Sequence, residues 1–317
     1  MPNFSIVVPV YNVDAWLDAA LASVETQSFG DFEVIIVDDG STDGSGRIAQ
    51  SFCARDARFR YLRQDNRGQS VARNVGTALA SGTYLYYMDG DDVIDADTLR
   101  LCHAEFVEHG VDVVLFGATA LIEDGPPPAG SKVNSPRPDV ASPLPSDVFV
   151  IESVRQDRYI VSPCCLIARR SAIGNLRFID GIVFEDNHFV AALLVEKKIM
   201  VSVLNRPLFR RRYRPNSTMT SRRTMRHYES LYQLLPQMCA LSFAALDAPQ
   251  RTIVRSRLIG NLLGDLHNTS AQIGAGVGMR TRNLLAAWRV ASSVSMRVLT
   301  FKRILLALVP ELYRARG

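Results

Sequence analysis

The amino-acid sequence predicts an α/β protein, with a mostly parallel central sheet flanked by helices and a helical C-terminal appendage. Two observations carry this. Through the first third, short apolar runs alternate with stretches of helical spacing, which implies βαβ units joined by right-handed crossovers. From Tyr228 onward the chain reads as helices and lacks clusters of catalytic character.

Phe4 to Val10 is the first β-rich run, and Asp14 to Gln27 follows with Ala15, Trp16, Ala19, Ala20 and Val24 near helical spacing. Phe32 to Val37 is a second buried-strand pattern, ending at Asp38-Asp39-Gly40-Ser41-Thr42-Asp43-Gly44-Ser45. A third strand near Phe59 to Leu62 leads into a turn at Asp65-Asn66-Arg67-Gly68 and a helix from Gln69 to Ala80. Tyr84 to Met88 is the fourth strand. These acidic or Gly-rich loops all follow strands, so they share one sheet edge and converge on one ligand.

Asp97 to His109 then reads as a helix and Val111 to Gly117 as a strand. Residues 123–146 hold seven of the fifteen prolines, the composition of a mobile loop or linker rather than a packed element. A strand resumes at Cys164 to Ala168, and Glu185-Asp186 stands at a loop-to-helix junction. Tyr228 to Phe243 and Ile253 to His267 are helical, with Gly260, Gly264 and residues 274–278 as interruptions. The expected division is a catalytic region 1–220, with halves 1–110 and 111–220, and a helical region 221–317.

The acids after the fourth strand hold the most chemistry. Asp89, Asp91 and Asp92 crowd around Gly90, and three carboxylates so close repel one another. Without a cation, at least one should have a raised pKa or turn to solvent. A hard divalent ion, Mg2+ or Mn2+, held by one or two carboxylates and the oxygens of a phosphorylated ligand, answers that need. The plain alternative is a solvated turn with Asp95 as N-cap.

Composition narrows the classes. The 317 residues are 47% hydrophobic and 21% charged, enough for a sizeable core. No run of about 18 apolar residues predicts a spanning helix. Met1-Pro2-Asn3-Phe4 does not resemble a signal peptide, so the expected location is cytoplasmic. Five irregularly spaced cysteines fit reduced thiols, and the adjacent Cys164-Cys165 reads as strand core rather than a zinc site. The net charge of +4 is only mildly basic. No Gly-x-Gly-x-x-Gly or Gly-x-x-x-x-Gly-Lys-Ser/Thr loop is present. Instead, Asp38 and Asp39 suit a nucleobase N–H or ribose hydroxyls, Asp89 and Asp91 suit a metal under a diphosphate, and Arg73 and Asn74 add a cation and an amide. That is the layout of a nucleotide-sugar site.

Pro9-Val10-Tyr11-Asn12, Val37 to Ser45, Asn66-Arg67-Gly68 with Ala72-Arg73-Asn74, and Met88-Asp89-Gly90-Asp91-Asp92 closely resemble the successive motifs of family 2 glycosyltransferases with the GT-A fold. The resemblance implies a nucleotide-diphosphate sugar donor, usually a UDP-sugar, a divalent cation and inversion at the anomeric carbon. Carried over by position, Pro9, Tyr11 and Asp38 or Asp39 contact the nucleotide, with Gly68 and Arg73 in the donor site. Asp89 and Asp91 form the metal and diphosphate motif, and Gly90 stands where Ser or Ala is often found. Inverting transfer needs a carboxylate beside the attacking hydroxyl, and the resemblance assigns it to Asp186, with Glu185 in support.

Arg206 to Arg226 contains eight arginines and no acid, a density suited to diphosphate oxygens or anionic headgroups. It also resembles the Tyr/Arg-rich loop that closes over the donor in this family, which brings in Arg212 and Ser217. Nucleic acid is not an expected partner, since no stacking aromatics are regularly interleaved. From Met279 to Gly317 eight basic residues face one acid, and Met296 to Tyr313 has the pattern of a basic amphipathic helix. Such a helix suits peripheral contact with an anionic membrane, here the cytoplasmic face of the inner membrane, or packing against a second subunit.

The expectation is a metal-dependent inverting glycosyltransferase, a hexosyl- or N-acetylhexosaminyl-transferase, acting on a glycan or lipid-linked glycan in cell-surface polysaccharide synthesis. Two other readings stand beside it. Asp89-Gly90-Asp91-Asp92-Val93 fits a haloacid-dehalogenase-like phosphatase with Asp89 as nucleophile, although that motif belongs on a first strand. The other is a non-catalytic sugar-nucleotide-binding scaffold.

Overall fold

The computed structural model describes residues 1–122, 133–214, 221–296 and 301–308. In chain order the elements are β1 (Phe4–Val10), α1 (Asp14–Glu25), β2 (Phe32–Asp38), α2 (Ser45–Arg55), β3 (Phe59–Arg63), α3 (Gln69–Leu79), β4 (Tyr84–Tyr87), β5 (Val93–Ile94), α4 (Thr98–His109) and β6 (Val113–Leu121). They continue with β7 (Asn134–Ser135), β8 (Leu144–Pro145), α5 (Ser146–Arg155), β9 (Leu166–Arg169), α6 (Arg170–Ile173), α7 (Glu185–Val195), β10 (Met200–Arg212), α8 (Met225–Ala240), α9 (Ala248–Ile273), α10 (Val277–Ser293) and α11 (Phe301–Leu308).

The sheet runs β3-β2-β1-β4-β9-β6-β10-β5, with β7 on β6 and β8 on β10. Its first four strands are parallel; β9 then lies antiparallel between β4 and β6. Because β2 and β3 extend from one side of β1 while β4 pairs on the other, strand order reverses at β1. A crevice opens there at the carboxyl ends of the strands, where open α/β sheets bind ligands. β1 is buried along its whole length, which matches its unbroken apolar run.

Contacts divide the chain into two compact units, Met1–Asp180 with Lys198–Thr220, and Gly181–Lys197 with Ser221–Gly317. The division differs from a simple cut at 220, since 181–197 belongs to the helical unit. α7 is buried from Phe189 to Val195, and Ala245 N–H donates to Val195 O, so this helix has no solvent face along that stretch and is built into the second unit.

The structure corrects the proline-rich segment in part. Residues 133–146 carry β7 and β8, and Arg137 is 1% exposed, its guanidinium donating to Phe116 O at 2.9 Å and Cys165 O at 2.6 Å. Two carbonyls hold the cation in place, and burial lowers its pKa to about 10. Cys164-Cys165 lie in a one-turn 3-10 helix before β9 rather than in a strand. None of the five cysteines is in a disulfide.

Candidate functional site

The loops after β1 and β2 are laced together, and the lacing explains their polar sequence. Asn12 N–H donates to Ser41 Oγ and Val13 N–H to Ser45 Oγ, while Thr42 N–H donates to Asn12 Oδ1 and Gly44 N–H to Asp14 Oδ2. Gly40, at φ +79°, passes so close to Asn66 that a Cβ would sit 2.9 Å from its backbone nitrogen. Only glycine fits that path without strain.

Asp38 and Asp39 diverge inside this frame. Asp38 is 0% exposed; its Oδ1 accepts Ser41 N–H at 2.7 Å and its Oδ2 accepts Tyr61 O–H at 2.6 Å. Burial, with the Asp38 bond and charge, pushes the Tyr61 hydroxyl up to about 12. Both Asp38 oxygens are thus engaged in the turn. Asp39 accepts Gln64 Nε2 and Arg67 N–H on Oδ1 and Gly68 N–H on Oδ2. Three of its four lone-pair sites are used, leaving one for an incoming N–H. Gly68, at φ +93°, opens α3, and Pro9 lies buried in β1. Tyr11 is 49% exposed just past β1, an aromatic face open at the crevice.

The acidic turn after β4 is braced by arginines. Arg73, 3% exposed on α3, donates to Asp89 Oδ1 at 2.7 Å, and Gln69, one turn earlier, donates to the same oxygen at 2.8 Å. Arg214 Nε meets Asp91 Oδ2 at 2.6 Å, with its guanidinium 4.7 Å from the Trp16 ring centroid. Arg212 N–H donates to Asp92 Oδ1 and Arg212 Nε to Asp91 O, both at 2.7 Å. Burial, then the charge of Asp89, raises the Asp91 pKa; burial, then Asp91 and Asp89, raises Asp92 well above the carboxylate range. The expected repulsion is thus present, and guanidinium groups offset part of it. Gly90 serves through space rather than φ, since a Cβ there would lie 3.3 Å from Leu17 and Val10.

A hard cation fits this turn. Among the described residues Asp89 Oδ2 and Asp91 Oδ1 make no hydrogen bond, and both are carboxylate oxygens. No group of three or more His, Cys, Asp or Glu in metal-holding arrangement occurs among the described residues, which leaves the pair Asp89 and Asp91 as the carboxylates that they offer at this turn. That matches Mg2+, which keeps waters and phosphate oxygens as its remaining ligands.

Other candidates fall elsewhere. Asn74 does not face the crevice freely; its amide brackets Phe178, donating to Phe178 O and accepting Phe178 N–H, each at 2.9 Å. Ser217 lies outside the described residues. The arginine run is divided, with Arg206 to Arg212 in β10 and Arg222, Arg223 and Arg226 in the second unit. Glu185 and Asp186 begin α7 in that second unit, Glu185 buried and Asp186 half-buried with Asn187 Nδ2 3.1 Å from its Oδ1. Phe184 before them is left-handed at φ +73°. Two contributors went unread in the sequence. Gln69 was signalled by its i,i+4 spacing to Arg73; the seat of Arg214 on Trp16 joins residues too distant in sequence for any local signal.

Residues 5–176 match the family model "Glycosyl transferase family 2", more than half of the chain. The chain belongs to glycosyl transferase family 2. This assignment sets aside the phosphatase reading of Asp89, which also follows the fourth strand rather than the first. Among curated relatives, the uncharacterized glycosyltransferase EpsJ of Bacillus subtilis is 32% identical over 68% of this chain and 63% of its own length. Glycosyltransferase GlyA of Streptococcus pneumoniae is 40% identical over 36% of this chain and 16% of its own length. The chain therefore spans less than two thirds of either relative. Of solved structures, Staphylococcus aureus TarS 1-349 in complex with UDP-GlcNAc superposes with a TM-score of 0.76 at 21% identity, covering 99% of this chain and 92% of that one. The mannosyltransferase PcManGT of Pyrobaculum calidifontis, in complex with GDP-Man and Mn2+, gives 0.53 at 16% identity, covering 99% and 86%. The fold is that of the GT-A glycosyltransferases. Among the described residues no helix is long and apolar enough to cross a membrane.

Proposed function

We propose that this protein transfers a sugar, with inversion, from a nucleotide-diphosphate donor, a UDP-sugar, to a glycan or lipid-linked glycan of the cell surface. The observation that carries the reading is the meeting of Asp39, Gly68, Arg73, Asp89 and Asp91 at the carboxyl edge of the sheet beside the β1–β4 switch. In this reading Asp39 accepts a nucleobase N–H with its remaining lone pair, and the exposed Tyr11 ring borders the base. Asp89 and Asp91 hold Mg2+ or Mn2+, which when bound offsets the charge of the leaving diphosphate. Arg73 aims the Asp89 carboxylate. The UDP-GlcNAc bound to TarS and the Mn2+ and GDP-Man bound to PcManGT support a nucleotide sugar and a dication here.

Asp186, half-buried at the start of α7, is the base that takes the proton of the acceptor hydroxyl, with Glu185 supporting it. Replacing it as Asp186→Asn is expected to lower transfer and donor hydrolysis by about 10²- to 10⁴-fold. UDP affinity should stay near wild type, because Asp186 is assigned to the acceptor. Donor consumption that persists in this variant, or UDP binding lost with it, overturns the assignment. A thermal-shift panel of nucleotide sugars with and without Mn2+ identifies the donor, since the one that binds raises the melting temperature by mass action.

In this reading the acceptor is met at the cytoplasmic face of a membrane, with α10 and α11 as the contact. Exposed Leu285, Trp288, Ile304, Leu305 and Leu308 and the basic excess of this stretch support a peripheral position.

A further inference from the structure

Beside the arginines at the entry to α8, the charge of Asp265 on α9 reaches Arg223 without forming an ion pair with it. Among the described residues Arg222, Arg223 and Arg226 make no ion pair, whereas Arg282 of the same unit forms a two-pronged pair with Glu229 at 2.6 Å. Arg223 Nη1 is buried without a hydrogen-bond partner. A buried guanidinium N–H left unpaired is destabilising, and a ligand that accepts it removes that cost.

The surroundings fix where that ligand sits. The Arg223 guanidinium stacks 4.8 Å from the Phe184 ring centroid, and Phe184 packs on His227 with centroids 5.8 Å apart. His227 Nδ1 accepts the Thr224 N–H, which leaves its proton on Nε2 and the ring neutral. Burial, then Arg223, then Arg226, lowers the His227 pKa, consistent with two cations close by. α8 begins at Met225, and the first N–H groups of a helix of 16 residues add a partial positive charge. Phe184, which seats Arg223, is followed directly by Glu185 and Asp186.

We infer that Arg223 and Arg226, with Phe184 as the platform, form a phosphate subsite, and that the acceptor carries a phosphate group held there beside the start of α7. Guanidinium binds phosphate through paired N–H groups, whereas the neutral imidazole of His227 offers a single N–H. A phosphate bound at this place delivers its attached sugar or polyol hydroxyl toward Asp186. The acceptor half of the inference rests on the proposed role of Asp186; the phosphate site does not.

The test uses the full chain, as wild type, R223A/R226A and R223K/R226K, with inorganic phosphate titrated calorimetrically into protein saturated with UDP and Mg2+. Wild type is expected to bind, the alanine variant at least tenfold more weakly, and the lysine variant in between while melting like wild type. Absence of binding to wild type, or binding unchanged in R223A/R226A, overturns the site. In donor-consumption assays an alkyl glycoside carrying phosphate is expected to be preferred over its neutral counterpart, and that preference should fall at least tenfold in R223A/R226A. Equal use of the two glycosides by wild type overturns the acceptor assignment. Donor turnover absent with every acceptor and with water, while phosphate still binds through Arg223, refutes the transfer reading alone. Vesicles of phosphatidylglycerol separate the sources of phosphate. If the alanine variant loses vesicle binding together with phosphate binding, the site reads bilayer headgroups and the acceptor assignment falls.

Discussion

The carboxylates at the crevice show how one residue type takes different parts according to the partners it finds. Asp38 is sealed in and spends its oxygens on the turn; Asp39 keeps one acceptor site; Asp91 is pushed toward neutrality by burial and by Asp89 while Arg214 pulls the other way. Replacing Asp91 by its neutral isostere removes a charge that the protein interior resists. Asp91→Asn is therefore expected to remain within about 1 kcal/mol of wild-type stability by urea unfolding, since the lost pairing is offset by the lost desolvation cost. Its transfer rate, and the extra thermal stabilisation by UDP that depends on Mn2+, should fall by at least about 100-fold and to the baseline respectively. Undiminished Mn2+-dependent stabilisation in this variant removes Asp91 from the metal site.

At the scale of elements, the strands that a reader finds by pattern are those buried on both faces. β1 and β2 have long apolar runs because both faces are covered, so little else in the sequence resembles them. β10 was hidden for the opposite reason. Asn205, Arg206 and Pro207 expose their side chains in mid-strand and the register shifts around Pro207, so its thirteen residues lack a regular two-residue period. α2 was missed because only Ser45, Ala49 and Phe52 are buried along it, too few to mark a helical face. The two carboxylates after β2 were legible as a site, but their unlike fates were not, because Tyr61 and Gln64 reach them from the next strand and the turn beyond it. Glu33 shows what such links between elements contribute. On β2 its Oε1 accepts Ser5 Oγ of β1 and both the N–H and Oγ of Ser81, with 12% of the side chain exposed. Burial pushes its pKa up, but the bonds from Ser5 and Ser81, with the charge of Arg60, outweigh it and leave it lowered. A lowered folded pKa gives stability that is present above the ordinary value of 4.5 and lost as pH falls through the folded value. Glu33→Gln should cost about 1–2 kcal/mol at neutral pH, and its urea-unfolding midpoint should converge on wild type in acid below 4.5. A difference that stays constant with pH excludes the charge of Glu33 as the cause.

At the scale of the whole molecule, the acidic crevice and the basic helices are separate designs in one chain. Thr281, Leu285, Trp288 and Ser292 fall on one exposed face of α10, and Leu285 and Trp288 make its centre apolar. Ile304, Leu305 and Leu308 of α11 are exposed as well, and eight basic residues against one acid follow Met279. A protein surface gains little by showing these groups to water. Burying a Leu or Trp side chain in the interface of a bilayer yields about 1.5–3 kcal/mol, and each Lys or Arg near an anionic surface adds about 1 kcal/mol at moderate salt. Those two contributions predict different dependences, which makes the membrane reading testable. Trp288 is 60% exposed and the chain has two tryptophans, so in a Trp16→Phe background it reports alone. With phosphatidylglycerol vesicles its emission should shift to the blue, and high salt should weaken the shift without removing it, since screening acts on the charges and not on the apolar face. Phosphatidylcholine vesicles should give a much weaker response, and Leu285→Glu in the same background should abolish the shift while the melting temperature holds, because residue 285 lies at the surface. Emission that ignores vesicles but moves with protein concentration assigns this face to a second copy of the chain instead, and the peripheral membrane position is then wrong.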